Sequence, residues 1–129
     1  MTIELYTLLA TGLLSLILAL LSVQLYGRQV GNPAIMGNRE TIAAPTGAAR
    51  RAIRAHQNLL ENAVPFAIVV LTAQALHIST QATRIAALVF IFARLVHALV
   101  YVRGIPVVRT FAWLTGLVAT IVIGFAIVA

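Results

Sequence analysis

The sequence contains no cysteine, no lysine and no aspartate. Without cysteine there is no disulfide, no redox-active thiol and no thiolate metal site, and composition leaves the redox compartment open. Without aspartate a Ser-His-Asp triad is excluded, and no nucleophile-elbow motif stands in for it. No His pair has metal-ligand spacing, and His56 and Glu61 lie five apart on a helix and point in different directions, so no metal is expected. Gly27, Gly31 and Gly37 form no phosphate-binding loop. Charge is scarce as well. Only 9% of the 129 residues are charged, with three glutamates against nine basic residues, all arginine, for a net charge of +6.

What is plentiful is apolar surface, at 61% of residues. A soluble domain is roughly half apolar and about a quarter charged, and a chain this short cannot hide the excess in one small core. The composition predicts a single integral membrane domain over residues 1–129. A basic chain can signal nucleic acid, but that requires Lys and Arg clustered on a soluble face. Here the arginines stand at the ends of long apolar runs or inside them. The excess reads as the positive-inside signature of a membrane protein, with the lipid bilayer as partner and no nucleic acid.

Crossing about 30 Å of hydrocarbon takes ~20 mostly apolar residues in a helix. Four stretches qualify, at about 5–26, 52–76, 82–102 and 107–128. The first makes a poor cleavable signal peptide: Glu4 rather than a positive residue precedes it, and it exceeds a typical h-region. The fourth is rich in β-branched residues, yet an isolated strand cannot satisfy its backbone in lipid, so all four are helices. The expected class is all-α, a membrane four-helix bundle. The connection 27–49, with Gly27, Gly31, Pro33, Gly37, Pro45 and Gly47, reads as loop or broken helix. The turn 77–81 offers Ser79 or Thr80 as N-cap of the third span, and Arg103-Gly104-Ile105-Pro106 is a second tight turn. No inverted repeat is evident. Even spacing puts Arg28, Arg39, Arg50, Arg51, Arg103 and Arg109 on one side and only Arg84 on the other. The Arg-rich side is expected to be cytoplasmic, with both termini opposite; in a bacterium the membrane would be the inner one.

Several polar residues lie where hydrocarbon should be. At ~100° per residue, Arg51, Arg54, Asn58 and Glu61 share a sector of about 80° on the second helix. Arg94, His97 and Tyr101 fall at i, i+3 and i+7 on the third. Charges at such depth cost several kcal/mol unless paired or hydrated, at about 2.5–3.5 kcal/mol each on insertion scales. One structural reading makes Arg94 and Glu61 a buried ion pair, leaves Arg50, Arg51 and Arg103 snorkelling to the interface, and treats His97 as a core residue. The whole set, with His56 and Arg109 added, exceeds what one pair requires. It points to a cationic pocket opening toward the Arg-rich side for an anionic or zwitterionic ligand, since guanidinium binds carboxylate in bidentate fashion and Glu61 can receive an ammonium.

The run Arg51-x-x-Arg54-Ala-His56-x-Asn58-x-x-Glu61-Asn62-x-x-Pro65-Phe66 closely resembles the second-helix signature of the MAPEG superfamily, the membrane-associated proteins in eicosanoid and glutathione metabolism, in its microsomal glutathione transferase flavour. Ala93-Arg94-x-x-His97-x-x-x-Tyr101, followed by Pro106 and Arg109, resembles the family's third helix and the loop beyond it, and Arg28-x-x-x-Asn32-Pro33 resembles its pattern after the first helix. The similarity covers most of the chain. It implies a homotrimer of four-helix subunits with glutathione, as co-substrate, bound between neighbours near the cytoplasmic side. By the same resemblance Arg54, Asn58 and Glu61 hold glutathione's charged ends, with Glu61 at the amino group. Arg94 and His97 support the pocket, Tyr101 contacts the peptide, and His56, Arg51 and Arg28 join the binding set. Arg109 stands nearest the sulfur, where a cation favours the thiolate, the nucleophilic form. The implied function is conjugation of glutathione to lipophilic electrophiles arriving from the bilayer, with reduction of lipid hydroperoxides as a second reaction. The turn between Tyr101 and Arg109 is one residue shorter than in the family's animal enzymes, Thr110 stands where some members carry Ser, and Gln57 is neutral where some have Arg. Two other classes compete. One is a non-catalytic accessory subunit of a membrane complex. The other is a small cation exporter, which needs a glutamate in a first span that here has none.

Overall fold

Hydrocarbon offers the backbone no hydrogen-bond partners, so each apolar run must satisfy its own N–H and C=O groups within a helix. The computed structural model describes residues 1–129 and contains α1 (Ile3–Val30), α2 (Asn32–Met36), α3 (Gly47–Ala75), α4 (Gln81–Arg103) and α5 (Pro106–Val128). The four long helices are each long and apolar enough to cross a membrane. The expected four-span bundle is thus present, with one short extra helix in the first connection.

The helices outlast the apolar runs. α1 continues past Tyr26 to Val30, and α3 begins at Gly47 rather than near Ala52. Helical hydrogen bonding does not depend on hydropathy, so a span's polar ends stay helical after its apolar stretch has stopped. Gly27, read from sequence as the start of a loop, lies buried inside α1. Its missing side chain matters for packing: a Cβ there would meet Asn32 Oδ1 at 2.7 Å and Ile35 Cδ1 at 3.3 Å, so the bare glycine leaves these two α2 side chains room against α1. α1 ends instead at Gly31, whose φ of 89° suits a residue without a Cβ.

Both ends of the bundle are pinned by side chains. At one end the Tyr26 hydroxyl donates to the Ala43 carbonyl at 2.6 Å, and Gln29 pairs with the backbone N–H and hydroxyl of Thr46 at 3.1 and 2.8 Å. At the other, Thr80 is the N-cap of α4 in a reciprocal capping box with Thr83. The buried Glu4 carboxylate accepts from the Thr83 hydroxyl at 2.6 Å and from Ser79 at 3.1 Å. Arg51 of α3 donates to the Val102 carbonyl of α4 at 2.8 Å. The α1–α3 and α4–α5 connections therefore share one end of the bundle, as the even spacing of spans requires.

α5 packs most extensively on α4, and α1 on α3; α1 and α3 also approach α4, while the backbones of α1 and α5 do not come close. Small residues set these close approaches. Ala112, Gly116 and Ala119 are the small residues of the buried stripe of α5, and Ala52 and Ala55 of α3 are wholly enclosed. Away from the Arg-rich end, the Phe66 and Phe90 rings stack at 3.7 Å, nearly parallel, among Val70, Ala87 and Ile123. A second apolar cluster joins Leu14 and Leu18 to Leu59 and Ile91. Leucine, isoleucine and phenylalanine side chains cover the outside, among them Leu16, Leu20, Ile68, Phe92 and Phe125, the surface a lipid environment demands.

Candidate functional site

At 1.5 Å rise per residue, Arg94 lies about 14 Å inward from the Arg103 end of α4, and Asn58 about 16 Å inward from the start of α3. The two meet at that depth. Arg94 is buried, at 1% exposure, and donates through Nη1 to Asn58 Oδ1 at 3.4 Å and through Nη2 to the Trp113 carbonyl at 3.0 Å. Its guanidinium carbon stands 5.3 Å from the Phe90 ring centroid, within cation–π range. Its Nε is buried without a hydrogen-bond partner. The place it occupies exists because position 116 is glycine: a Cβ there would collide with Nη2 and lie 2.6 Å from Nε. The partners of Arg94 are an amide and a backbone carbonyl, and Glu61 is exposed on the outer face of α3, so the buried Arg94–Glu61 ion pair is not formed.

On the side of Asn58 toward the Arg-rich end lies a cavity of about 220 Å³ lined by Asn58, His97, Tyr101, Arg109, Thr110 and Trp113. No acidic residue lines it. Arg109 sits one turn into α5, with its guanidinium carbon 4.7 Å from the Tyr101 ring centroid. His97, buried one turn deeper on α4, meets the edge of Tyr101 at 5.3 Å between centroids. The short turn before α5 therefore does not keep Arg109 from the polar wall. Gly104, at φ 82°, takes the left-handed conformation that ends α4, and Pro106 starts α5 immediately after it.

Of the residues singled out from sequence, Asn58, His97, Tyr101 and Arg109 come together on this cavity, with Arg94 behind Asn58. The others stand elsewhere. Arg54 and Glu61 are exposed on the outer face of α3. Arg51 is half-buried and reaches α4, where its charge complements the helix C-terminus. His56 turns to α1, with Nε2 3.3 Å from the Ser15 hydroxyl. Arg28 is exposed at the end of α1. The 80° sector of α3 thus straddles a boundary: Arg51 and Asn58 face α4, while Arg54 and Glu61 face out of the subunit. Trp113 and Gly116 were missed. The signal available was their i+4 and i+7 spacing from Arg109, which puts the chain's one tryptophan and a glycine on the same side of the fourth span. Two apolar grooves run between α4 and α5 on the outside, past Ile85, Val89, Phe92 and Phe111, and share no lining residue with the polar cavity.

The chain is thus a four-span helical bundle with one arginine, Arg94, buried deep in its apolar length and a second, Arg109, on the wall of a polar cavity. The chain belongs to the MAPEG family, whose pattern it matches over residues 4–129. Membership places it among membrane proteins of glutathione-related and eicosanoid metabolism, a family that includes glutathione transferases and related enzymes. Among curated proteins, none matches the chain.

Proposed function

We propose that the chain is a membrane-bound glutathione transferase that stabilises the glutathione thiolate for attack on lipophilic electrophiles. The observation that carries this reading is Arg109 on the wall of the polar cavity, stacked on Tyr101 and facing no carboxylate there. A free thiol with a pKa near 8.5 is mostly protonated at pH 7. A fixed guanidinium beside the sulfur favours the anion by direct attraction, the proton leaving to water. The thiolate then forms the carbon–sulfur bond while the electrophile takes up the displaced electron pair. With a hydroperoxide instead, two glutathiones are oxidised to the disulfide as the hydroperoxide becomes alcohol and water.

The reading extends to assembly. Arg54 and Glu61 are exposed on one chain, and Glu61 lies about 21 Å along α3 from its start, where a charge facing lipid is costly. A homotrimer would cover that face with a neighbouring copy, and glutathione at the seam would meet Arg54 and Glu61 from one subunit and Arg109 from another. The Arg-rich end, carrying Arg28, Arg39, Arg50 and Arg103, is then the cytoplasmic end. The acid-free cavity with Arg109 on its wall supports an anionic guest over a non-catalytic packing role.

The test is glutathione binding to the purified chain in detergent, followed by thiolate absorbance near the ultraviolet edge. The expected result is a glutathione-dependent thiolate signal that Arg109→Ala abolishes, together with conjugation of a lipophilic aryl halide. Saturating glutathione that gives neither binding nor conjugate with any of a panel of electrophiles overturns the enzyme reading. Co-purification with a stoichiometric partner and an empty cavity would favour the accessory-subunit reading.

A further inference from the structure

Two polarity constraints meet at Asn58. Arginine carries donors only, and Arg94 approaches Asn58 from the buried side, so the atom of the Asn58 amide facing it must be the oxygen. A backbone carbonyl only accepts, so the Asn62 atom at 2.7 Å from the Asn58 carbonyl must be the amide nitrogen. That same Asn62 nitrogen lies 3.4 Å from Asn58 Oδ1. Both contacts to Oδ1 are long, yet their polarity admits no alternative: flipping either amide would set donor against donor or acceptor against acceptor. Oδ1 is thus held inward between Arg94 and Asn62, and the NH2 end of Asn58, which has no partner within the chain, is left for the cavity that Asn58 lines.

We infer that Asn62, acting with Arg94, is a positioning residue that locks the Asn58 amide with its NH2 toward the cavity, so that this wall offers donors and selects a ligand bearing a carboxylate, carbonyl or thiolate acceptor there. The inference deepens the glutathione reading and rests on it for the identity of the ligand; the lock itself rests on the Asn58–Asn62–Arg94 geometry alone. Asn62 touches no part of the cavity and acts only through Asn58.

Asn62→Ser separates the lock from a merely local role, because a serine hydroxyl can still donate to the carbonyl four residues back but cannot reach Oδ1. Asn62→Asp is the second variant: it keeps the shape and removes the donors. The full chain in detergent, labelled with 15N-asparagine, has four side-chain amides, from Asn32, Asn38, Asn58 and Asn62, to resolve by NMR. Without glutathione, the wild-type Asn58 NH2 should give one sharp, separated pair of signals that broadens or shifts in both variants. Calorimetric titration with glutathione should show binding about three- to tenfold weaker in both, the worth of one well-aligned hydrogen bond, and wild-type Asn58 signals that move on saturation. Wild-type Asn58 signals and wild-type affinity in Asn62→Ser, or in Asn62→Asp, would overturn the lock. Asn58 signals that depend on Asn62 in a wild-type chain that binds no glutathione would uphold the lock and overturn the transferase reading.

Discussion

Gly116 of α5 leaves the space that the guanidinium of Arg94 on α4 fills: a single methyl at position 116 would lie 2.6 Å from Nε and 2.7 Å from Cζ. A buried cation so deep in the bundle survives because its neighbour has no side chain, and it then reaches both the Trp113 carbonyl and Asn58. Gly116→Ala should push Arg94 off this seat and cost about 1–3 kcal/mol, the usual range for overpacking a tight interior. A lower thermal midpoint in detergent, with weakened glutathione binding, checks it. A variant as stable as wild type would mean Arg94 has another resting place.

Tyr101 holds Arg109 by its ring face, so the aromatic ring should matter more than the hydroxyl for thiolate formation. Tyr101→Phe should keep most of the thiolate signal. Tyr101→Leu should lower conjugation rate several-fold more, since an exposed cation–π contact contributes about 0.5–1 kcal/mol and also fixes where the charge points. The ratio of the two variants' kcat/KM values reads this directly.

Glu4 is a buried carboxylate tied to Thr83 and Ser79 at the end of the bundle opposite the cavity. Glu4→Ala strands those hydroxyls and should destabilise the fold by about 1–3 kcal/mol, with glutathione affinity unchanged. Thr83→Val should do much the same. The double variant should fall short of the sum, because both remove one contact. Additive losses in thermal unfolding would mean the pair is not coupled.

Arg51 and Gly104 act together on the turn that delivers α5. Gly104→Ala places a Cβ in the left-handed region and should cost about 1–2 kcal/mol. Arg51→Met keeps the apolar stem but loses the bond to the Val102 carbonyl. Both should raise KM for glutathione by loosening the start of the helix that carries Arg109, and thermal melts run alongside the kinetics separate loosening from unfolding.

Arg54 and Glu61 are exposed on the isolated subunit, so in the proposed trimer replacing either should leave the subunit's folding intact while reducing glutathione affinity. Glu61→Gln is expected to bind glutathione about tenfold more weakly, as loss of a charge-assisted bond predicts, with an unchanged melting curve for the subunit. Cross-linking in native membranes should trap trimers; a monomer at every protein concentration would remove the seam.

The four spans were legible from apolar runs because bilayer thickness sets their length, and the Arg-rich end followed because successive spans alternate in direction. Thr80 as cap was one of two candidates, and the structure chose it because its hydroxyl and that of Thr83 satisfy each other's backbone N–H groups. The helix ends were not legible, since Gly27 looks like a breaker in a string of letters and proves to be a packing surface for α2. Periodicity put Arg51, Arg54, Asn58 and Glu61 on one face of α3, but a face has two edges. Only the position of α4 divides them into a pair turned inward and a pair turned out.

By itself, then, the sequence determined that this chain spans a membrane four times as helices and that it sets arginines within or beside those spans, because apolar runs of about 20 residues satisfy their backbone in hydrocarbon only as helices. The tertiary structure alone decided which polar groups meet. Arg94 contacts Asn58 and the Trp113 carbonyl rather than Glu61, and Arg109 stacks on Tyr101, because helix packing around Gly116, Ala112 and Ala119 sets the relative heights of α3, α4 and α5. Relative height belongs to no single helix, so no single helix's sequence encodes it.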